Sequence, residues 1–264
     1  MPLRNRSRFT PARCVRLGAL ALIAACGPRD PMTAPYDLVI TNARIVDGTG
    51  NPYYYGDLGI RGTRIGTIAP LGALAEATTK VKVDARGLVV APGFIDIQAH
   101  SWNALLFADG RVIGKVSQGV TTEILGESTT PGPSNERIDS LYNGGDPDDA
   151  LMRAQVKTFR GDHGFGTWLA AMEQHGNSVN VGSYLGASTV RAYAMGQAQG
   201  DAPAAALDTM RGVVRRAMTD GAFGISTALI YPPGSYALTR ELTELAKAMA
   251  PFHGTYISHI RGEE

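Results

Sequence analysis

The sequence predicts an α/β fold made of a small all-β unit followed by a series of parallel βα units. Three observations carry this. Residues 36–90 are rich in β-branched residues that alternate with polar ones, with turn dipeptides between the runs. From Gly93 onward, short apolar segments alternate with longer helical stretches, as parallel βα repeats require. Between the two lies Gly87–Ser101, GLVVAPGFIDIQAHS, where an apolar run breaks at Pro-Gly, resumes as Phe-Ile-Asp-Ile and ends on Gln98-Ala99-His100.

Taken in order, the chain opens on a targeting segment. Arg4, Arg6, Arg8, Arg13 and Arg16 form a positive region, and Leu17–Ala25 an apolar run too short to span a bilayer. It ends Leu22-Ile23-Ala24-Ala25-Cys26-Gly27, which resembles a bacterial lipobox. That resemblance implies cleavage before Cys26, a lipid on its thiol, and a cell-envelope location at the periplasmic face. The alternative is a plain secretory signal. Residues 1–26 are thus a signal peptide and 27–35 a tether. Cys14 leaves with the signal, so the mature body has no disulfide and no cysteine metal ligand.

Over 36–90, strands are expected at Asp37–Val46, Asp57–Arg61, Arg64–Ile68, Lys80–Asp84 and Leu88–Val90. Over 91–264, they are expected at Gly93–Gln98, Val120–Leu125, Val179–Leu185, Ala222–Thr227 and Thr255–Ile260. Helices are expected over Ala104–Ser117 in part, Gly166–His175, Ala202–Asp220 and Thr239–His253, the last N-capped by Thr239 with Glu241 and Glu244 in its first turns. Ser128–Gly161 reads as a long Pro/Gly/Asp-rich loop, with Asp146, Asp148 and Asp149 solvated and not spaced as an EF-hand. Strand alternation puts Gln98 and His100 on one face at a strand's C-terminal end, where α/β barrels keep their chemistry. A (β/α)8 barrel needs about 250 residues. The chain from Gly93 is shorter, so it is expected to be the N-terminal part of a longer enzyme, with a smaller complete fold as the alternative. A net charge of +1 argues against a nucleic-acid partner.

The PGFID-x-Q-x-H segment resembles the first barrel strand of the amidohydrolase superfamily, whose pattern is PGFID-x-H-x-H. Lys115–Thr122 contains SQGVTT, Gly221–Gly234 reads GAFGISTALIYPPG, and Tyr256–Arg261 reads YISHIR. Together these resemble the N-acyl-D-amino-acid deacylase (D-aminoacylase) group from Tyr36 to Glu264. The resemblance implies a TIM-barrel metal-dependent hydrolase preceded by a small β-sandwich of the urease type. It also implies Zn2+, one ion or two, and a small-molecule N-acyl amino acid as substrate.

Residue by residue, the resemblance makes His259 a zinc ligand and His100 the second histidine of the first-strand motif. Gln98 stands where the first histidine is expected, and either hydrogen-bonds a substrate or holds His100. Gly126-Glu127-Ser128 occupies the place of a Gly-Asn-Cys-like turn, with Glu127 as the substitute ligand and Ser128 a weak one. Tyr231 is implied to contact substrate. Asp96 is read as structural. Arg261 pairs with a substrate carboxylate or, as the expected choice, with Glu263 or Glu264. His163, His175 and His253 are read as surface residues. The implied reaction hydrolyses an amide to a carboxylate and a D-amino acid, with the acid–base aspartate beyond residue 264. Two other readings stay open: a ring-opening amidohydrolase of the dihydroorotase or hydantoinase kind, and a non-catalytic lipoprotein with a degenerate site.

Overall fold

The computed structural model describes residues 35–140 and 147–262, with the side chains of 147–149 outside the description. The signal peptide, Cys26, the tether up to Ala34, and Asp146, Asp148 and Asp149 as side chains therefore lie outside the described residues, as do Glu263 and Glu264. No described helix is long and apolar enough to cross a membrane.

The chain divides after Pro92 into two compact units. The first holds β1 (Tyr36–Ile45), β2 (Tyr54–Arg61), β3 (Arg64–Pro70), β4 (Thr79–Asp84) and β5 (Val89–Val90). They form a five-stranded sheet in the order β3-β2-β1-β4, with β5 also on β1. The β1–β2 and β2–β3 pairings are antiparallel, while β4 and β5 run parallel to β1. The alternating pattern works as expected: Val39, Ala43 and Ile45 are buried on β1 while Arg44 faces solvent. β1 carries an irregularity between Ile40 and Ala43, where Asn42 takes a left-handed φ of 59°. The buried Asp57 carboxylate secures it, accepting from the Asn42 amide at 3.0 Å and the Leu74 amide at 2.9 Å.

The second unit runs through β6 (Phe94–Asp96), α1 (Trp102–Phe107), α2 (Ile113–Val116), β7 (Val120–Leu125), α3 (Glu136–Asp139), α4 (Pro147–Val156), α5 (Gly164–His175), β8 (Asn180–Ser183), β9 (Leu185–Gly186), α6 (Ala187–Met195), α7 (Ala204–Thr219), β10 (Gly224–Ala228), α8 (Thr239–Met249) and β11 (Thr255–His259). All strand pairings here are parallel, in two three-stranded sheets, β6-β7-β8 and β9-β10-β11. Tyr184 separates β8 from β9, so the single strand expected over Val179–Leu185 is shared between the two sheets. The amide of Tyr184 still bonds Leu125 O at 2.9 Å, and Phe223 N bonds Ser183 O at 3.0 Å.

Helices pack on these sheets through one core that includes Trp168, Met172, Leu185, Val190, Met210, Val214, Ile225 and Leu245. α7 shows why its span is legible: Leu207, Met210, Val213, Val214, Ala217 and Met218 recur at helical spacing and are all buried.

Four expectations need correction. The strand expected over Gly93–Gln98 ends at Asp96, because Asp96 Oδ1 accepts the Gln98 amide at 3.1 Å and turns the chain. The Ser128–Gly161 stretch contains α3 and α4, so Asp148 and Asp149 fall within a helix and not a loop. Leu238, not Thr239, occupies the N-cap of α8, and no side chain caps it. The expected elements also omit α6, which is buried nearly all round from Ala187 to Ala192 and so shows no amphipathic stripe.

Candidate functional site

Five chain segments converge on a cleft of about 740 Å³ lined by Ile97, Gln98, Glu127, Tyr184, Thr227, Ile257, Ser258, His259 and Ile260. β6 and its turn deliver Gln98 and His100, the turn after β7 delivers Glu127, and the last residue of β11 is His259. Glu127 sits between the two imidazoles. Its Oε2 lies 2.9 Å from His100 Nε2 and its Oε1 lies 3.2 Å from His259 Nδ1. The His100 side chain is 65% exposed, whereas those of His259 and Glu127 are 24% and 11% exposed.

Tyr231 meets His259 edge to face, with ring centroids 5.8 Å apart and planes at 86°. Its loop follows β10 and is clasped to the end of β11 by Arg261, which donates to Ser235 O at 2.9 Å and to Ala237 O. Arg261 therefore serves backbone carbonyls; a pairing with Glu263 or Glu264 lies outside the described residues. All five residues singled out in the sequence for metal or substrate are thus brought to one place, although Gln98 and His100 arrive from a turn and not from one strand face. Among the described residues, no three His, Cys, Asp or Glu side chains form a group meeting the geometry of a metal site.

A second polar group lies beside the first strand. Asp96 pairs with Lys115, whose ammonium hydrogen bond holds the carboxyl below the usual range and whose own pKa is raised by that bond. Glu123, opposite Asp96 in the β6–β7 register, is wholly buried and accepts from Ser101 Oγ at 3.1 Å. Burial pushes its pKa up. Asp96, read as structural, bonds the turn amide of Gln98 and Lys115. His163 and His175 are exposed and bond Asp220 (2.6 Å) and Ala108 O (2.7 Å).

Sequence reasoning missed the hydroxyls around the Glu127 turn. Ser226, Ser188 and Thr189 are all buried and bond that turn. The available signal was the small, hydroxyl-bearing run Gly224-Ile-Ser-Thr-Ala228, in which every residue is buried. Ser128, read as a weak ligand, is buried with its hydroxyl 2.8 Å from that of Ser188, and it does not line the cleft.

No family model matches the chain. A solved D-aminoacylase, described as defining a novel subset of amidohydrolases, superposes with a TM-score of 0.72 at 31% identity, covering 87% of this chain and 46% of that one. An N-acyl-D-glutamate deacylase from Bordetella bronchiseptica, complexed with zinc and a phosphonate mimic of the tetrahedral intermediate, gives 0.71 at 31% identity, covering 87% and 46%. The fold is the α/β fold of the amidohydrolases. In sequence, the chain is 35% identical over 239 residues to a D-aminoacylase of Alcaligenes xylosoxydans xylosoxydans. Over most of its length the chain is similar to the D-aminoacylase group of that superfamily. The match takes in 87% of the chain and 45% of this relative, so the chain spans about half the length of the relatives it matches.

Proposed function

We propose that the chain carries the metal-binding face of an N-acyl-D-amino-acid deacylase, which hydrolyses an amide C–N bond to a carboxylate and a D-amino acid. The observation that carries this is Glu127 held between His100 and His259 at one cleft, in a chain related to a zinc-bound deacylase. The donor set fits zinc: two imidazoles and a carboxylate are a catalytic zinc set that leaves a fourth position for water or substrate. His100, Glu127 and His259 would hold the ion, which when bound supplies polarisation of the amide carbonyl and a water pKa lowered toward about 7.

The chain's own residues do the rest. Glu127 bridges the two imidazoles. Tyr231 braces His259 and borders the substrate. Gln98 offers a neutral amide to the substrate, and Ile97, Ile257 and Ile260 wall the cleft with apolar surface. The aspartate that passes a proton to the leaving amine is assigned, on the family resemblance, to a segment outside residues 1–264.

The reading extends to architecture and location. Parallel strands alternating with helices support 91–264 as part of a (β/α)8 barrel, and the five-stranded sheet supports 36–90 as part of a small β-sandwich. The lipobox-like segment supports export and a lipid anchor on Cys26 as the sole membrane contact, so Cys26→Ser should release the protein to the soluble fraction.

The test is zinc content by atomic emission, wild type beside His259→Ala, followed by hydrolysis of N-acyl-D-amino acids. About one zinc per chain, lost in the variant, is expected for a site of this kind. Equal zinc in both proteins would overturn the ligand assignment.

A further inference from the structure

We propose that Ser226 is a positioning residue for Glu127. The two are far apart in sequence, yet Ser226 grips the chain on both sides of Glu127. Its Oγ accepts the Ser128 amide at 3.1 Å and donates to the Gly126 carbonyl oxygen. One hydroxyl on β10 thus ties down the residue before and the residue after the carboxylate that bridges the two histidines.

The turn it holds does not maintain itself. Gly126 has φ +95° and Ser128 φ +60°, two left-handed positions flanking Glu127. A Cβ at Gly126 would collide with the Tyr184 carbonyl oxygen, so only glycine fits there. Ser226 is 0% exposed, and water cannot substitute for its hydroxyl. The rest of the cradle acts further along: Ser188 N bonds Ser128 O at 2.9 Å, and Thr189 Oγ1 accepts from Thr130 N at 2.8 Å while donating to Thr130 O at 2.9 Å. Only Ser226 bonds both immediate neighbours of Glu127 among the described residues. Because Ser226 sits in β10 beside β11, which ends at His259, the same strand region sets both the carboxylate and the imidazole that meet it.

The inference rests on the ligand reading of Glu127 for its zinc consequence, but its geometric part does not. The experiment therefore has two readouts on the full chain. The first is the imidazole nitrogen chemical shifts of His100 and His259 without metal. The second is Zn2+ affinity by competition with a chromophoric chelator. The variants are Ser226→Ala, Ser226→Cys as a milder loss that keeps volume and a weak hydrogen-bonding sulfur, and Ser226→Thr, which keeps the hydroxyl. Ser134→Ala is the control, since Ser134 is equally buried and bonds Val156 O away from the cleft.

The expected result is that both imidazole signals move in Ser226→Ala and Ser226→Cys, stay in Ser134→Ala, and return in Ser226→Thr. Zn2+ binding should weaken about ten- to a hundredfold in Ser226→Ala, the usual effect of losing a group that orients a ligand. Imidazole signals unchanged by Ser226→Ala and Ser226→Cys, or moved as much by Ser134→Ala, would overturn the proposal. Wild-type protein that binds no zinc would defeat the ligand reading alone, with the imidazole signals still deciding Ser226.

Discussion

Arg191 on α6 and Glu241 in the first turn of α8 form an ion pair in which the side chains are 1% and 2% exposed. The guanidinium also donates to Ala198 O at 3.1 Å and Gly200 O at 2.6 Å, stitching the chain after α6 to the same point. Burial raises the Glu241 pKa against the opposing pull of Arg191. Removing one partner leaves the other charge buried and alone. Glu241→Ala should therefore cost about 3–5 kcal/mol, while a joint replacement by Met and Leu should cost far less. Urea unfolding midpoints at unchanged slope measure this. A loss under about 1 kcal/mol in Glu241→Ala would contradict it.

The Gly126 position gives a second expectation. Gly126→Ala places a Cβ at φ +95° against Tyr184 O and the Ser183 hydroxyl. Strain of this kind costs about 1–3 kcal/mol, and relieving it must move Glu127. Reduced thermal stability together with reduced zinc content should follow. A variant matching wild type in both would show that the turn tolerates a side chain.

Arg261 clasps the Tyr231 loop through the carbonyls of Ser235 and Ala237. Lysine lacks the planar fork that serves two acceptors. Arg261→Lys should therefore loosen the loop nearly as much as Arg261→Ala. Amide hydrogen exchange at Ser235, Tyr236 and Ala237, all bonded within that loop, should speed by about tenfold in both, a local opening easier by about 1.4 kcal/mol. Full protection in Arg261→Lys would show that a point charge suffices.

His163 at the N-terminus of α5 bonds Asp220, which also accepts the Gly166 amide at 3.0 Å. That hydrogen bond, with the attraction of the Asp220 charge, raises the His163 pKa above its ordinary 6.5. The folded state then holds the proton more tightly than the unfolded one. The stabilisation is full below the ordinary value and disappears as pH rises through the raised folded value. Wild type should exceed His163→Gln in melting temperature at about pH 5, with the gap closing by about pH 9. A gap independent of pH would rule out the protonated pair as its source.

Much was legible from sequence because it is local. Alternation marked β1 to β5, helical spacing marked α5, α7 and α8, and the motif residues His100, Glu127, Tyr231 and His259 could each be picked out by type and place. What escaped was set by contacts across the chain. α6 is buried nearly all round from Ala187 to Ala192, so no periodicity betrays it. Glu241 read as a helix-dipole residue, but its partner Arg191 is fifty positions away.

The sequence by itself determined the α/β class, the small β unit followed by βα units, the chemical kinds of residue at the site and the resemblance to the D-aminoacylase group. Those follow from residue type and short-range spacing, which fix backbone preference and donor chemistry. Tertiary structure alone decided that β6 stops at Asp96, that Tyr184 divides one expected strand between two sheets, and that Glu127 faces both histidines. It also decided that Ser226 holds the turn. Each of these depends on which distant backbone groups need a hydrogen-bond partner once water is excluded, and that is settled only when the strands are side by side.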